Sequence, residues 1–294
     1  MRFVAEFVMQ SRSRAAGVAV VAAAMPFLAL LSCAVVALVW LRMGRQEGVK
    51  LLVWALLPAL YYALAKSSPD VLFSLLVTAA MAEVLRSTQD WAKALGIGTL
   101  FAVLASLFLP WLPVELRAEL IQLLMDQTSL AEQLSLSQAQ QAEVIHLLGL
   151  LLNGAISAVQ FLMVVAALAL GRWWQSLLYN PGGFQQEFHG LRMPVWFAAL
   201  LVLNLLLLIL GMSNLLPVLP VLAATLIVAG LALVHGVFGI KGYNSFWLGM
   251  LYLLLLFALP YVSVLLILIA MADSLMNFRH RLAPPSSPPG DGEA

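Results

Sequence analysis

Charge and cysteine are what this chain has least of. Only 10% of its 294 residues are Asp, Glu, Lys or Arg, against about 25% in a soluble domain. Fifteen basic residues nearly balance fourteen acidic ones, for a net charge of +1. That balance gives no pull toward nucleic acid. One cysteine, Cys33, excludes an internal disulfide and a cysteine metal cluster. The four histidines, His146, His189, His235 and His280, never fall three to five residues apart, so no helical metal pair is expected. The chain has no phosphate-cradling Gly-rich loop ending in Lys-Ser/Thr and no Gly-x-Ser-x-Gly elbow. The expectation is a non-enzyme with no cofactor, no metal and no catalytic residue.

What is abundant is hydrocarbon. Hydrophobic residues make up 63% of the chain, in continuous runs from residue 15 to residue 278. A membrane core ~30 Å thick needs ~20 apolar residues to cross as a helix. Backbone groups in lipid must pair internally, which leaves helices or closed barrels. Barrels need alternation, and these runs do not alternate. The predicted fold is therefore all-α, a polytopic transmembrane helix bundle with the lipid bilayer as its solvent.

Walking the chain gives about eight to ten membrane helices, some short and paired. Residues 15–41 form one apolar block interrupted by Pro26, predicting a short helix to about Met25 and a second from Pro26 to Leu41. The basic start is expected to be retained rather than cleaved. Spans are predicted at 51–65, 70–85, 94–112, 144–171, 194–212, 215–237 and 246–278, the last cut by Pro260. Whether 15–41 and 246–278 cross once or twice stays open. Ser68 is expected to cap the helix that opens at Pro69. The segment 113–143 differs, with five acids against Arg117 alone. Val114, Leu116, Leu120, Leu123 and Leu124 mark an apolar stripe, and Ser129–Glu132 and Ser137–Gln140 fit capping boxes. It reads as amphipathic helices outside the hydrocarbon. The Pro-, Ser- and Gly-rich end is expected to be disordered. The division is then 1–112, 113–143, 144–281 and a tail, 282–294.

Basic joints near Arg42, Arg86, Arg172, Lys241 and Arg279 stay cytoplasmic by the positive-inside rule, and the acidic segment faces outward. Both termini are then expected in the cytoplasm, which requires 15–41 and 246–278 each to cross twice.

A few residues stand out. Ala15, Ala19 and Ala23 lie four apart on the first helix, spacing that lets a partner helix dock closely. Gly154 and Ala158 form a similar pair. Asn153, Gln160 and Asn204 are polar groups within spans, expected to make intramembrane contacts. Glu83 with Arg86, and Asp273 with Arg279, are expected to be boundary ion pairs. The turn Pro181-Gly182-Gly183 offers backbone amides to an anion or simply reverses the chain.

Three stretches carry a resemblance. They are Met25-Pro-Phe-Leu-Ala-Leu-Leu31 through Leu41-Arg-Met-Gly44, Trp174-Gln-Ser-Leu-Leu-Tyr-Asn-Pro-Gly-Gly-Phe184, and Met271-Ala-Asp-Ser-Leu-Met-Asn-Phe-Arg-His-Arg281. They resemble the YybS-like family of bacterial multi-pass membrane proteins. The N-terminal half of that family is similar to substrate-binding subunits of energy-coupling-factor transporters and to the membrane component of rod-shape morphogenesis. The resemblance implies a bacterial inner-membrane protein that binds a small molecule, or a partner membrane protein through its first helix at Ala15, Ala19 and Ala23. The alternative it implies is a scaffold or assembly factor for envelope and cell-shape machinery.

Overall fold

The computed structural model describes residues 2–128, 137–244 and 246–282. Among these residues every regular element is helical. The N-terminal block breaks where proline forces it. Helices α1 (Arg2–Met9) and α2 (Arg12–Ala23) precede a 3-10 turn, Pro26–Leu28, and α3 runs Ala29–Met43. Gly44, at φ +94°, then turns the chain directly into α4 (Arg45–Ala65). Helix α5 (Asp70–Thr88) begins at the predicted residue. Ser68 does not cap its backbone but donates to the Asp70 carboxylate, and Pro69 holds the cap position without a side-chain bond. Proline fixes the approach angle there, so a side-chain cap is not needed for the helix to start. Asp90, by contrast, caps α6 (Trp91–Phe108) through the amides of Ala92 and Lys93.

The acidic segment is not one element. Helix α7 (Val114–Thr128) ends within it, and α8 (Gln138–Tyr179) starts within it and runs unbroken for 42 residues. The capping box predicted at Ser137–Gln140 is present, with both reciprocal bonds made. The box predicted at 129–132 and the C-terminal tail lie outside the described residues. The polar loop after Tyr179 contains a helix that its composition hid, α9 (Gly183–Gly190). It is followed by α10 (Val195–Ile209), a 3-10 turn Ser213–Leu215, and α11 (Val218–Lys241). The last apolar stretch breaks at Ala258, with Pro260 in the first turn of the second piece: α12 (Phe246–Phe257), α13 (Leu259–Met276) and a short α14 (Phe278–Leu282).

Among the described residues six helices are long and apolar enough to cross a membrane: Arg45–Ala65, Asp70–Thr88, Trp91–Phe108, Gln138–Tyr179, Ser213–Lys241 and Leu259–Met276. The bent pair α9 and α10 makes a seventh if it is one span. With the two shorter apolar helices, α3 and α12, these elements fall within the expected eight to ten when the short ones are counted. Helices α3 and α12 are apolar but have only 15 and 12 residues, ~22 Å and ~18 Å of rise, against the ~30 Å of a hydrocarbon core.

The chain divides into two compact units. One comprises Met1–Glu187 with Ala199–Thr225, and the other Phe188–Ala198 with the residues from Leu226 on. In the first unit α3 is the central post. Every residue from Ser32 to Leu41 is buried, as expected of a helix that is apolar all round. It packs against α2, α4, α5 and α8. Contact with α8 is close because of Gly171, where a Cβ would fall 2.8 Å from the Ala34 carbonyl oxygen and the Ala37 side chain. In the second unit Asp273 is the organising group. It is buried, it pairs with Arg279 at 2.7 Å, and it accepts from the Phe278 amide. The Arg279 guanidinium also donates to the His189 and Leu191 carbonyls. Arg192 donates to the carbonyls of Asp273 and Ser274 at the end of α13. Two cations on helix-end carbonyls suit the dipole there.

Candidate functional site

The polar groups predicted inside the spans are all engaged within the first unit. Asn153 donates from Nδ2 to the Ser106 carbonyl at 2.7 Å. Gln160 accepts from the Ser74 hydroxyl at 3.3 Å. Asn204 donates from Nδ2 to the Leu215 carbonyl at 3.2 Å, while its buried Oδ1 has no partner among the described residues. Sequence reasoning did not find Thr99 and Thr225, whose hydroxyls meet at 2.8 Å, since single threonines in apolar helices carry no pattern. These bonds lock helices to one another rather than lining an open path.

Other candidates also turn inward. Ala15 is 5% exposed and Ala19 and Ala23 are fully buried. The α2 backbone at Ala19 accepts from Ser32 of α3, so this chain's own helices occupy the small-residue face. Gly154 meets the backbone of Pro217 so closely that a Cβ would lie 2.6 Å from its Cα. Glu83 makes no ion pair with Arg86 among the described residues. It accepts instead from the Trp40 indole at 2.6 Å, a partner 43 residues away that local spacing cannot reveal. The pair Asp273–Arg279 is formed as expected. The Pro181-Gly182-Gly183 turn reverses the chain with bonds of its own. Gly183 N donates to Asn180 O and Phe184 N to the Ser176 hydroxyl. Glu187, four residues on, is taken by the Arg172 guanidinium and the Trp91 indole.

What remains open is a vestibule where the α6–α7 corner meets α8. It encloses about 1420 Å³, more than the ~300–1,000 Å³ of an ordinary small-molecule site. Pro110 and Pro113 break the chain between α6 and α7. Trp111, buried and edge-on to Phe73 at 5.1 Å, pins that corner. Its indole donates to the Ser157 hydroxyl, which donates to the Asn153 carbonyl. Helix α7 is held by buried Ile121, whose Cδ1 would lie 3.5 Å from a Cβ at Gly149. The Gly149 notch thereby keeps one wall thin. The walls are mixed. Phe108, Ile121, Met125, Ile145 and Leu150 are apolar, and Arg117, Gln122, Asp126, Gln141, His146, Asn153 and Asn214 are polar.

No family model, curated protein or solved structure matches the chain. The vestibule therefore has to be read from its own chemistry. Arg117 is the only strong base among Glu115, Glu119, Asp126 and Glu143 on α7 and the start of α8. Among the described residues Arg117, Asp126 and His146 make no ion pair. In the lining Arg117 and Asp126 balance, and Glu115, Glu119 and Glu143 on the same two helices leave the surrounding segment net negative, which disfavours an anion and favours a cation or a neutral group. Walls that mix apolar and polar side chains fit an amphiphile rather than a fully polar solute. His189 and His235 approach to 6.4 Å between ring centres in the second unit, but among the described residues no third ligand joins them.

Proposed function

We propose that this protein is a non-enzymatic, multi-pass bacterial inner-membrane protein that binds a neutral or cationic amphiphile in the vestibule between α7 and α8. The vestibule itself is the observation that carries the reading. It is large and mixed in polarity. The membrane setting is supported by six long apolar helices and by their outward faces. Tyr261 is 81% exposed, Phe257 79% and Leu256 75%, an apolar surface that water would drive to aggregate. The basic joints near Arg42, Arg86 and Arg172 support a cytoplasmic side opposite the vestibule in the first unit, and Lys241 and Arg279 mark a cytoplasmic side of the second by the same rule. The YybS-like resemblance fits this reading. Partner docking at Ala15, Ala19 and Ala23 is not carried forward, because that face is filled from within.

The test is native mass spectrometry of protein purified in mild detergent, with extraction of whatever small molecule is retained. Wild type should carry one amphiphile. Gly149→Trp, which drives an indole into the vestibule, should lose it while keeping its melting temperature. A ligand-free wild type, or full retention by the Trp variant, would refute the reading.

A further inference from the structure

A second cavity lies at the other end of the first unit and has no part in the vestibule. A groove of about 780 Å³ runs between α2 and α4, with α3 as its floor and the end of α1 as its roof. Its lower walls are apolar: Ala16, Val20, Val39, Leu51 and Trp54. Trp54 is 57% exposed, so one side is open along the helices. Gly17 lines the groove, and a Cβ placed there meets nothing within 4 Å. The space beside it is therefore real and continuous with the outside.

The mouth is charged. Arg12 and Lys50 share one carboxylate, Glu47, at 2.9 Å each. Arg12 uses only its Nε in that pair, and both cations are largely exposed, at 73% and 66% of their side chains. Two cations against one anion leave net positive charge and free donors at the rim. The Ser11 and Ser13 hydroxyls stand beside them. Positive charge at the end of a narrow apolar trough matches a phosphate joined to a hydrocarbon chain.

We infer that this groove seats one acyl chain of an anionic phospholipid from the surrounding membrane, with its phosphate held by Arg12 and Lys50. The inference rests on the membrane setting argued above, but not on the vestibule. It also gives the small α2 residues Ala16 and Gly17 a role: they leave the width that a chain needs.

The experiment uses the full-length protein, delipidated in detergent and titrated with phosphatidylglycerol or with phosphatidylcholine of identical chains. Native mass spectrometry reads the adducts. Phosphatidylglycerol should bind about fivefold more tightly, the factor for roughly one basic residue acting on an anionic headgroup. Arg12→Gln with Lys50→Gln should erase that preference. Gly17→Leu should remove the tightest adduct of both lipids. Leucine is the better helix former at this site, and an unchanged melting temperature checks that the variant folds. Equal affinity for the two lipids overturns the inference. So does phosphatidylglycerol bound undiminished to Gly17→Leu, or a polypeptide that occupies the groove and is released by that variant. Failure of the membrane setting itself is visible before any lipid is added, as protein that stays monodisperse without detergent.

Discussion

Gly154 and Asp273 show how much a single residue decides in this chain. Gly154 lets the Pro217 backbone come to van der Waals range of a helix that is otherwise clothed in side chains. Overpacking a close contact costs about 1–3 kcal/mol. Gly154→Leu should therefore lower the melting temperature in detergent, and an unchanged melt would show that the two backbones are not so near. Asp273 is the opposite case, a buried charge whose partners are all in place. Removing one member of a buried pair costs about 3–5 kcal/mol, because the other is left uncompensated. Asp273→Ala should be among the most destabilising substitutions in the second unit, read as early loss of helicity on heating. A loss under about 1 kcal/mol would mean that the carbonyls of His189 and Leu191 alone satisfy Arg279. The Asp273–Arg279 pair was legible in the sequence because six residues separate its members. The Glu83–Trp40 bond was not, because the fold rather than spacing brings them together.

At the scale of elements, local chemistry was a good guide to where helices stop and start. Pro26 and Pro260 break apolar runs where an absent amide and a clashing ring require it. Ser137 and Gln140 close a capping box that four residues suffice to specify. Replacing Ser137 by Ala should cost about 1 kcal/mol at the head of α8. Hydrogen exchange of amides 138–142 should then speed up while those near Gly171 stay unchanged. Uniform acceleration along α8 would argue against a local cap. Composition misled at α9, where Pro, two Gly and several polar residues suggested a loop. Its helix is stabilised from outside, by Glu187 held between Arg172 and Trp91, and such support cannot be seen in eight residues. The vestibule was equally invisible. Its walls come from residues 106 to 217, and nothing in any one segment announces a void.

For the molecule as a whole, the apolar content fixed the class of fold, and the distribution of charge proposes its orientation. Cys33 is buried, which leaves the native protein silent to thiol reagents and turns it into a clean background. In intact cells an impermeant maleimide should label Glu119→Cys on α7. It should reach Ser87→Cys, at the end of α5, only after the membrane is opened. The reverse pattern would invert the molecule, and labelling of both in intact cells would remove the membrane setting. Helix number was the least legible property. Apolar runs of similar composition became a full-length helix at α11 and a 12-residue piece at α12, and hydropathy alone does not say where a run will bend.

The length of α8 has a geometric consequence for how the vestibule is reached. Forty-two residues make a rod of ~63 Å, about twice the depth of the oil it would cross. The largely apolar stretch from Leu147 to Leu170, which holds no charged residue, already matches that depth. In the proposed membrane setting Gln141 and His146 would stand proud of the bilayer, like the top of a pile driven through a seabed. The proposed guest would then come down beside them from the aqueous side, with no lateral gate through the lipid needed to admit it.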